Sequence, residues 1–469
     1  MAIDITTKRD GARRASLSET SSAATPRKTP RSREGGERMS SSAGAVSAPL
    51  SAGLPQAPLS SRRKVRVIAD SEPVTRAIET RPLDVTPRYT SSPIQGRRTS
   101  EGGDLGLRAP ASSRGARART LRSVGPSVSV PTELTVGIAY DLKADFERAA
   151  LKLAGEAELP EDAFEEYDSE ATVAALEDAL ASNGYQSRRL GSGRAFLSRI
   201  MNEPGDIVFN IAEGYGTRSR EAHVPSALEM LGVPYTHSDP LTLALTLDKA
   251  MAKRVAAAAG VPTPRFAVVE HIDDARGLDL AYPRIAKPLF EGSSMGIRKH
   301  SRVTNHEDFM GLIEELLRLY REPVLVEEFA SGPEFTVGIL GTGADASVIG
   351  AMEIVPRNCS AAEFVYSLEV KRNYLEEVAY HVPPKRPTEL VRQIEAVALA
   401  AYRSLGCRDV GRVDVRLSED GDPKFLEVNP LPGLNPVTGD LVILARGNGI
   451  SYHELVGRIV DNARARQSI

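Results

Sequence analysis

Two cysteines in 469 residues, Cys359 and Cys407, are too few for a disulfide framework and form no metal-ligand spacing. The seven histidines are scattered, with no HxxxH or HxH pair. No run of 18 apolar residues occurs, so no membrane span is expected. The first residues lack an apolar stretch of the kind a Sec signal carries. Aromatic side chains are almost missing from residues 1–132, where Tyr89 is the only one. That segment is rich in Ser, Arg, Pro, Ala and Gly. It cannot bury enough apolar surface to offset its conformational entropy, and disorder is expected. It holds 23 Lys and Arg against 11 Asp and Glu, a net of +12, so the formal −3 of the whole chain conceals −15 in the remainder. Two basic clusters, SRRKVRV (Ser61–Val67) and RGARART (Arg114–Thr120), could touch nucleic acid, acidic lipid or a partner. The plainer reading is preferred: a soluble tail, or a start codon placed too early, with Met39 the later candidate. A reducing, ATP-containing cytoplasm is the expected compartment.

The whole chain is 41% hydrophobic, enough for two or three domains with cores of their own. LTVGIAYD (Leu134–Asp141) reads as a buried strand, and ATVAALEDAL (Ala171–Leu180) as a helix capped by Asp168 or Ser169. GDIVFNIAEG (Gly205–Gly214) reads as a second strand, and EAHVPSALEMLGVPYTHS as another helix and turn. This alternation predicts a parallel α/β layer over 135–240. LTLALTLDKAMAKRVAAAAGVPTP (Leu241–Pro264) reads as one helix with Lys249 and Lys253 on a shared face, which by itself could simply be solvated. Lys287 stands inside an apolar strand and must meet an anion or lose its charge. It is followed by EGSSMG, whose glycines, hydroxyls and backbone N–H groups can wrap a phosphate; the alternative is a Ser-Gly turn. PVLVEEFASGPEFTVGIL (Pro323–Leu340) reads as two strands around SGP, and Arg386–Cys407 as an amphipathic helix on the C-terminal sheet.

Gly411–Asp440 carries the densest chemistry. GRVDVRL, a turn SEDGDP and KFLEVNPLPGLNPVTGD predict a β-hairpin. Pairing Leu417 with Lys424 sets Asp414 opposite Glu427 and Arg412 opposite Asn429. It also puts Phe425, Glu427 and Asn429 on one face, since residues two apart share a side. Carboxylates directly opposite repel unless a cation lies between them. Carboxylate and amide oxygens without thiols or paired imidazoles suit Mg²⁺. A solvated hairpin is the plain alternative, but it has no need of the apolar, Pro-rich run that follows.

Arg412-x-Asp414, Glu427-x-Asn429 and Pro432-Gly433 resemble the metal end of D-alanine–D-alanine ligases, members of the ATP-grasp superfamily. The resemblance covers roughly the last 330 residues. It implies an α/β fold of α+β lobes: an ATP-grasp unit preceded by a Rossmann-like N-terminal domain and the disordered tail. The expected boundaries are 1–132, 133–240, 241–331 and 332–469. ATP and Mg²⁺ (or Mn²⁺) are the implied cofactors, amino acids the implied substrates, and a homodimer and a place in peptidoglycan biosynthesis further implications. The LxxDKxxxK segment implies that Lys249 reaches phosphate. KPxxEGSSxG implies Lys287 on the α/β-phosphates beneath a loop of Gly292, Ser293, Ser294 and Gly296, with Ser293 also positioning the first substrate. The hinge at Glu327, Glu328, Phe329 and Ala330 would hold adenine, and Glu334 the ribose. Tyr366 and Glu369 lead into Lys371, the γ-phosphate candidate in a mobile substrate-covering loop; Tyr374 stands two residues later than the family's tyrosine. Asp414, Glu427 and Asn429 are the implied metal ligands. Arg412 and the Gly433 N–H are the implied oxyanion donors, and Thr438 replaces the family's serine at the second substrate's carboxylate.

The sequence departs from the family around the first substrate. Glu165-Glu166-Tyr167-Asp168-Ser169 stands where an EREVS-like turn is usual, and Ala212-Glu213-Gly214 where His-Gly would fall. Glu166, Asp168 or Glu213 remain to hold an ammonium, so altered or broader selectivity at the first position is expected. The reading is therefore an ATP-dependent carboxylate–amine ligase joining two amino acids through an acyl phosphate. The alternatives are a ligase for another amino-acid or peptide pair, a nucleotide-binding protein without turnover, and a nucleic-acid-associated protein using the tail.

Overall fold

The computed structural model describes residues 134–153 and 159–467. The disorder expected of residues 1–132, and the two basic clusters there, lie outside the described residues.

Three sheets follow one another along the chain. The first is parallel, in the order β2-β1-β3, from β1 (Thr135–Tyr140), β2 (Gln186–Gly191) and β3 (Ile207–Ile211). β1 and β3 are covered on both faces, which is why each reads as a nearly unbroken apolar run. β2 (QSRRLG) is a half-exposed edge strand with no such run, and the sequence reading passes over it and the helix Gly193–Asn202 that follows. Helix Glu170–Ser182 is capped by Ser169, whose hydroxyl accepts from the Thr172 N–H. Leu176 and Leu180 of this helix share one core with Leu455, Ile459 and Val460 of the last helix, Tyr452–Gln467.

The single helix expected over Leu241–Pro264 is two, Pro240–Leu247 and Lys249–Ala258. Asp248 breaks it. Its backbone is extended (φ −81°, ψ 94°) and its carboxylate accepts from the Met251 N–H, so it caps the second helix instead of continuing the first. The second sheet is antiparallel, ordered β4-β7-β5-β6, from β4 (Phe266–Val269), β5 (Arg284–Pro288), β6 (Arg302–Val303) and β7 (Val324–Glu328).

The third sheet is antiparallel, ordered β10-β9-β8-β11-β12. Its strands are β8 (Glu334–Leu340), β9 (Ser347–Pro356), β10 (Val378–His381), β11 (Val410–Leu417) and β12 (Pro423–Asn429). The two strands expected around SGP are β7 and β8. They belong to different sheets, so residues 329–333 connect one sheet to the other. Helix Thr388–Ser404 lays Ile394, Ala398 and Tyr402 on the third sheet, against Val413, Val415 and Phe425.

In the β11–β12 hairpin, Arg412 faces Asn429 and Asp414 faces Glu427, as expected. Leu417 faces Pro423, however, and not Lys424. The register shifts after Asp414, leaving Leu426 as an extra residue. Phe425 and Glu427 consequently lie on opposite faces, although they are two apart. Phe425 enters the core and Glu427 turns to the site.

Candidate active site

Two adjoining cavities, of about 460 and about 70 Å³, lie where the three sheets' connecting segments meet. Tyr366, Lys371, Arg412 and Glu427 line both. The larger also exposes Lys249, Gly292, Ser293, Asn429, Gly433 and Thr438. Its acidic part comes from Glu166, Asp168, Glu213 and Glu221. The smaller exposes Lys287, Ser294, Asp414 and Glu334, with Glu327, Glu328, Phe329 and Ala330 from the hinge. Most candidate residues read from the sequence therefore border one of two adjoining spaces; Gly296 and Glu369 line neither.

The shared wall is built from buried charge. Lys287 lies 3.3 Å from Glu327 and 3.4 Å from Glu427. Burial opposes its charge, but the two carboxylates hold its pKa above the ordinary lysine range. Burial likewise pushes Glu427 up, yet Lys287, with Lys249, Arg412 and Lys371 behind it, holds it well below the usual carboxylate range. Lys371 sits over the Tyr366 ring at 5.2 Å, and burial followed by Arg412 lowers its pKa. The expected substrate-covering loop is folded down: the Leu368 N–H donates to Ile297 O at 3.1 Å, and Arg372 pairs with Glu165 at 2.7 Å.

The Ser-Gly loop turns through left-handed backbone, and its Gly292, Met295 and Gly296 N–H groups already donate to Glu166, the Gly292 carbonyl and Asp162. Ser293, Ser294 and Gly296 all take positive φ (48°, 62° and 71°), and only the glycine adopts this without strain. A Cβ on Gly296 would lie 2.4 Å from the Pro288 ring. The loop is pinned by Asp162, which is 0% exposed. Its carboxylate accepts from the Gly296 N–H (2.9 Å) and Tyr320 Oη (2.8 Å) and pairs with Arg298 (3.0 Å).

The hairpin donors fit a magnesium-like ion by their chemistry. Asp414 and Glu427 are directly opposed, and every other donor present is an oxygen. Burial raises the Asp414 pKa and Glu427 adds to it, against the counter-pull of Arg412. A cation between the two carboxylates would relieve that repulsion. Asp414 meanwhile accepts from Thr336 (2.8 Å), Arg412 (3.1 Å) and the Asn429 amide (3.3 Å). Among the described residues no group of three or more His, Cys, Asp and Glu could hold a metal ion. The candidate set is two carboxylates and an amide.

Several functional neighbours escape sequence reading. Lys253, compatible with a solvated face, is 0% exposed and pairs with Glu327 at 2.6 Å. Glu327 therefore directs its carboxylate to two lysines, and its backbone lies within the sheet between Phe266 and Ile285. Glu334, expected to take ribose hydroxyls, is paired with Arg416 at 2.9 Å. Arg416 also stacks on Phe329 at 4.3 Å and donates to the Ala361 and Phe364 carbonyls. Glu166 is held by Arg220 at 2.7 Å and accepts from the Gly292 N–H, so it is not a free partner for an ammonium. The only sequence signal for Arg416 is its alternation with Arg412 and Asp414; Asp162, Arg220 and Glu221 carry none.

Burial raises Asp168 to about 7 and Glu221 to about 8. The folded chain thus retains protons that the unfolded chain releases in the ordinary carboxylate range. Between about pH 4 and pH 8 the folded state binds more protons, so this contribution to stability falls as pH rises through that window. Urea unfolding at about pH 5 and pH 8.5 should show a smaller loss for Glu221→Gln than for the native chain. Equal losses would refute the assignment.

Residues 255–461 match the family model for the D-ala D-ala ligase C-terminus. The D-alanine–D-alanine ligase of Geobacter sulfurreducens is 36% identical over 300 residues, covering 63% of this chain and 89% of the relative. That of Bordetella petrii is 34% identical, covering 62% and 86%. Among solved structures, a D-alanine–D-alanine ligase from Bacillus anthracis complexed with ATP covers 72% of this chain and 99% of its own, with TM-score 0.53 and 20% identity. The VanG D-Ala:D-Ser ligase from Enterococcus faecalis gives TM-score 0.53 at 19% identity, covering 71% and 99%. The chain belongs to the D-alanine–D-alanine ligase family and has its ATP-grasp fold.

Proposed function

We propose that this chain joins two amino acids by activating the first one's carboxylate as an acyl phosphate with ATP. The observation that carries the reading is the wall shared by the two cavities, where Lys371, Arg412 and Glu427 face both spaces. A nucleotide in the smaller space and amino acids in the larger would meet there. The smaller space must widen to take a nucleotide, and Arg416, spanning Glu334 and the 361–364 carbonyls, is the side chain that has to give way.

The chemistry brings one anion onto another. A carboxylate oxygen attacks the γ-phosphorus and ADP leaves; an amine nitrogen then attacks the acyl carbon, and inorganic phosphate and a proton leave. Lys249, Lys287 and Lys371 neutralise phosphate charge in this scheme, and the Gly292–Gly296 backbone covers it. Arg412 and the Gly433 N–H donate to the tetrahedral oxyanion, Ser293 positions the first substrate and Thr438 holds the second carboxylate. Asp414, Glu427 and Asn429 would hold Mg²⁺, which when bound screens the phosphates. Residues 133–240, 241–331 and 332–469 serve as the pre-ATP-grasp domain and two lobes. The cytoplasm supplies the ATP, and the free thiols of exposed Cys359 and buried Cys407 suit a reducing compartment. Among the described residues no helix is long and apolar enough to cross a membrane.

The test is ADP release with MgATP over pairs of D- and L-amino acids. One ADP per peptide bond is expected, abolished by EDTA and restored by Mg²⁺. Absence of ADP release with every pair would sink the ligase reading.

A further inference from the structure

The acidic end of the larger cavity holds more carboxyl groups than one α-ammonium can use. Five carboxylates line it: Glu165, Glu166, Asp168, Glu213 and Glu221. Two are already matched by protein cations. Glu165 pairs with Lys143 (3.2 Å) and Arg372 (2.7 Å), and Glu166 with Arg220 (2.7 Å). Asp168 is bonded by Thr172 and has no ion pair among the described residues.

Glu221 stands apart. It sits in the short turn Arg220–Ala222, is 8% exposed, and borders the cavity, yet its carboxylate makes no hydrogen bond or ion pair among the described residues. The nearest cations are engaged elsewhere: Arg220 with Glu166 and the Phe290 carbonyl, and Lys249 with the Glu291 carbonyl. A buried carboxylate without a partner is costly unless it keeps its proton or receives a cation from outside. Glu213, on the same wall, has no ion pair among the described residues either. Burial raises its pKa, and Glu221 and Glu166 raise it further.

We propose that the first amino acid this chain takes carries a second cation on its side chain, an ammonium or guanidinium held by Glu213 and Glu221. This rests on the ligase reading and names the substrate class of that same cavity. The α-ammonium of any amino acid can use Asp168. The remaining two carboxylates select for a dibasic acid, because with a neutral side chain the buried Glu221 and the half-buried Glu213 either hold their protons or lack a counter-charge.

The experiment uses the full chain and matched pairs of amino acids in both hands: lysine against norleucine, ornithine against norvaline, and arginine. ADP release at a fixed second amino acid gives kcat/KM, and calorimetry gives binding without turnover. The best dibasic acid is expected to exceed its neutral counterpart by about tenfold or more in kcat/KM. Glu221→Gln and, separately, the less buried Glu213→Gln should each cut that preference several-fold through KM. Equal or better use of the neutral acids by the native chain would overturn the proposal. So would a preference that both variants leave intact, since the carboxylates would then merely be protonated wall. The two readings fail separately. Tight dibasic binding without ADP release keeps the pocket and sinks the ligase. Efficient D-alanine ligation with no dibasic preference does the reverse.

Discussion

Glu427→Gln is expected to leave a folded chain whose turnover falls by about a hundredfold or more. The substitution keeps the shape of the side chain and removes the charge most strongly stabilised in the site, the carboxylate held low by Lys287 and the cations behind it. Folding should survive, because Lys287 keeps Glu327 as its other partner at 3.3 Å. The loss should show as a weaker dependence of ADP release on Mg²⁺, since Glu427 faces Asp414 across the hairpin and the two would share one ion. Adding Asp414→Asn should then cost much less than it does alone, as residues acting in one unit are not additive. Thermal unfolding and a Mg²⁺ titration of turnover check both parts. Normal Mg²⁺-dependent turnover in Glu427→Gln would remove the hairpin from the metal site.

Lys253→Met should produce the larger loss of stability, about 3–5 kcal/mol. Lys253 is fully enclosed, held by Glu327 at 2.6 Å, Thr263 at 3.0 Å and the Phe425 carbonyl at 3.2 Å. Removing the ammonium leaves a buried carboxylate short of one counter-charge and the Thr263 hydroxyl short of a donor, while the Phe425 carbonyl keeps the Thr263 hydroxyl at 2.8 Å. Lys249, one helical turn earlier, lines the larger cavity, so Lys249→Met should lose turnover with little change in unfolding. The pair thus separates a structural lysine from a substrate-facing one. Glu327→Gln in the Lys253→Met background should recover part of the lost stability, because the stranded charge goes with it. Urea unfolding of the four chains decides the matter. A Lys253→Met chain as stable as the native one would mean that Lys287 alone neutralises Glu327.

Much of the site was legible because its groups sit close together in the chain. Alternation in GRVDVRL and KFLEVN is enough to set Asp414 against Glu427, and a lysine within an apolar strand, Lys287, must find anions wherever that strand lies. The buried parallel strands β1 and β3 announce themselves as apolar runs for the same local reason, and Ser169 as a cap. β2 did not, because an edge strand needs little apolar surface. Asp248 split an expected helix because an aspartate's side chain competes with the backbone for the next turn's N–H groups.

What only the tertiary structure decided is which charges are already taken. The pairs Lys253–Glu327, Arg416–Glu334, Arg220–Glu166 and the Asp162 clasp on the Ser-Gly loop join residues 54 to 134 positions apart. Nothing in the local pattern marks one lysine or glutamate as paired and another as free. The bulge at Leu426 is of the same kind. One extra residue, accommodated only once the hairpin is packed, sends Phe425 inward and Glu427 to the site. Residue types and spacing therefore pointed to the family and to most of the residues that line the two cavities. Packing, by fixing which buried charges neutralise each other, decided that Glu221 faces the cavity with no partner among the described residues.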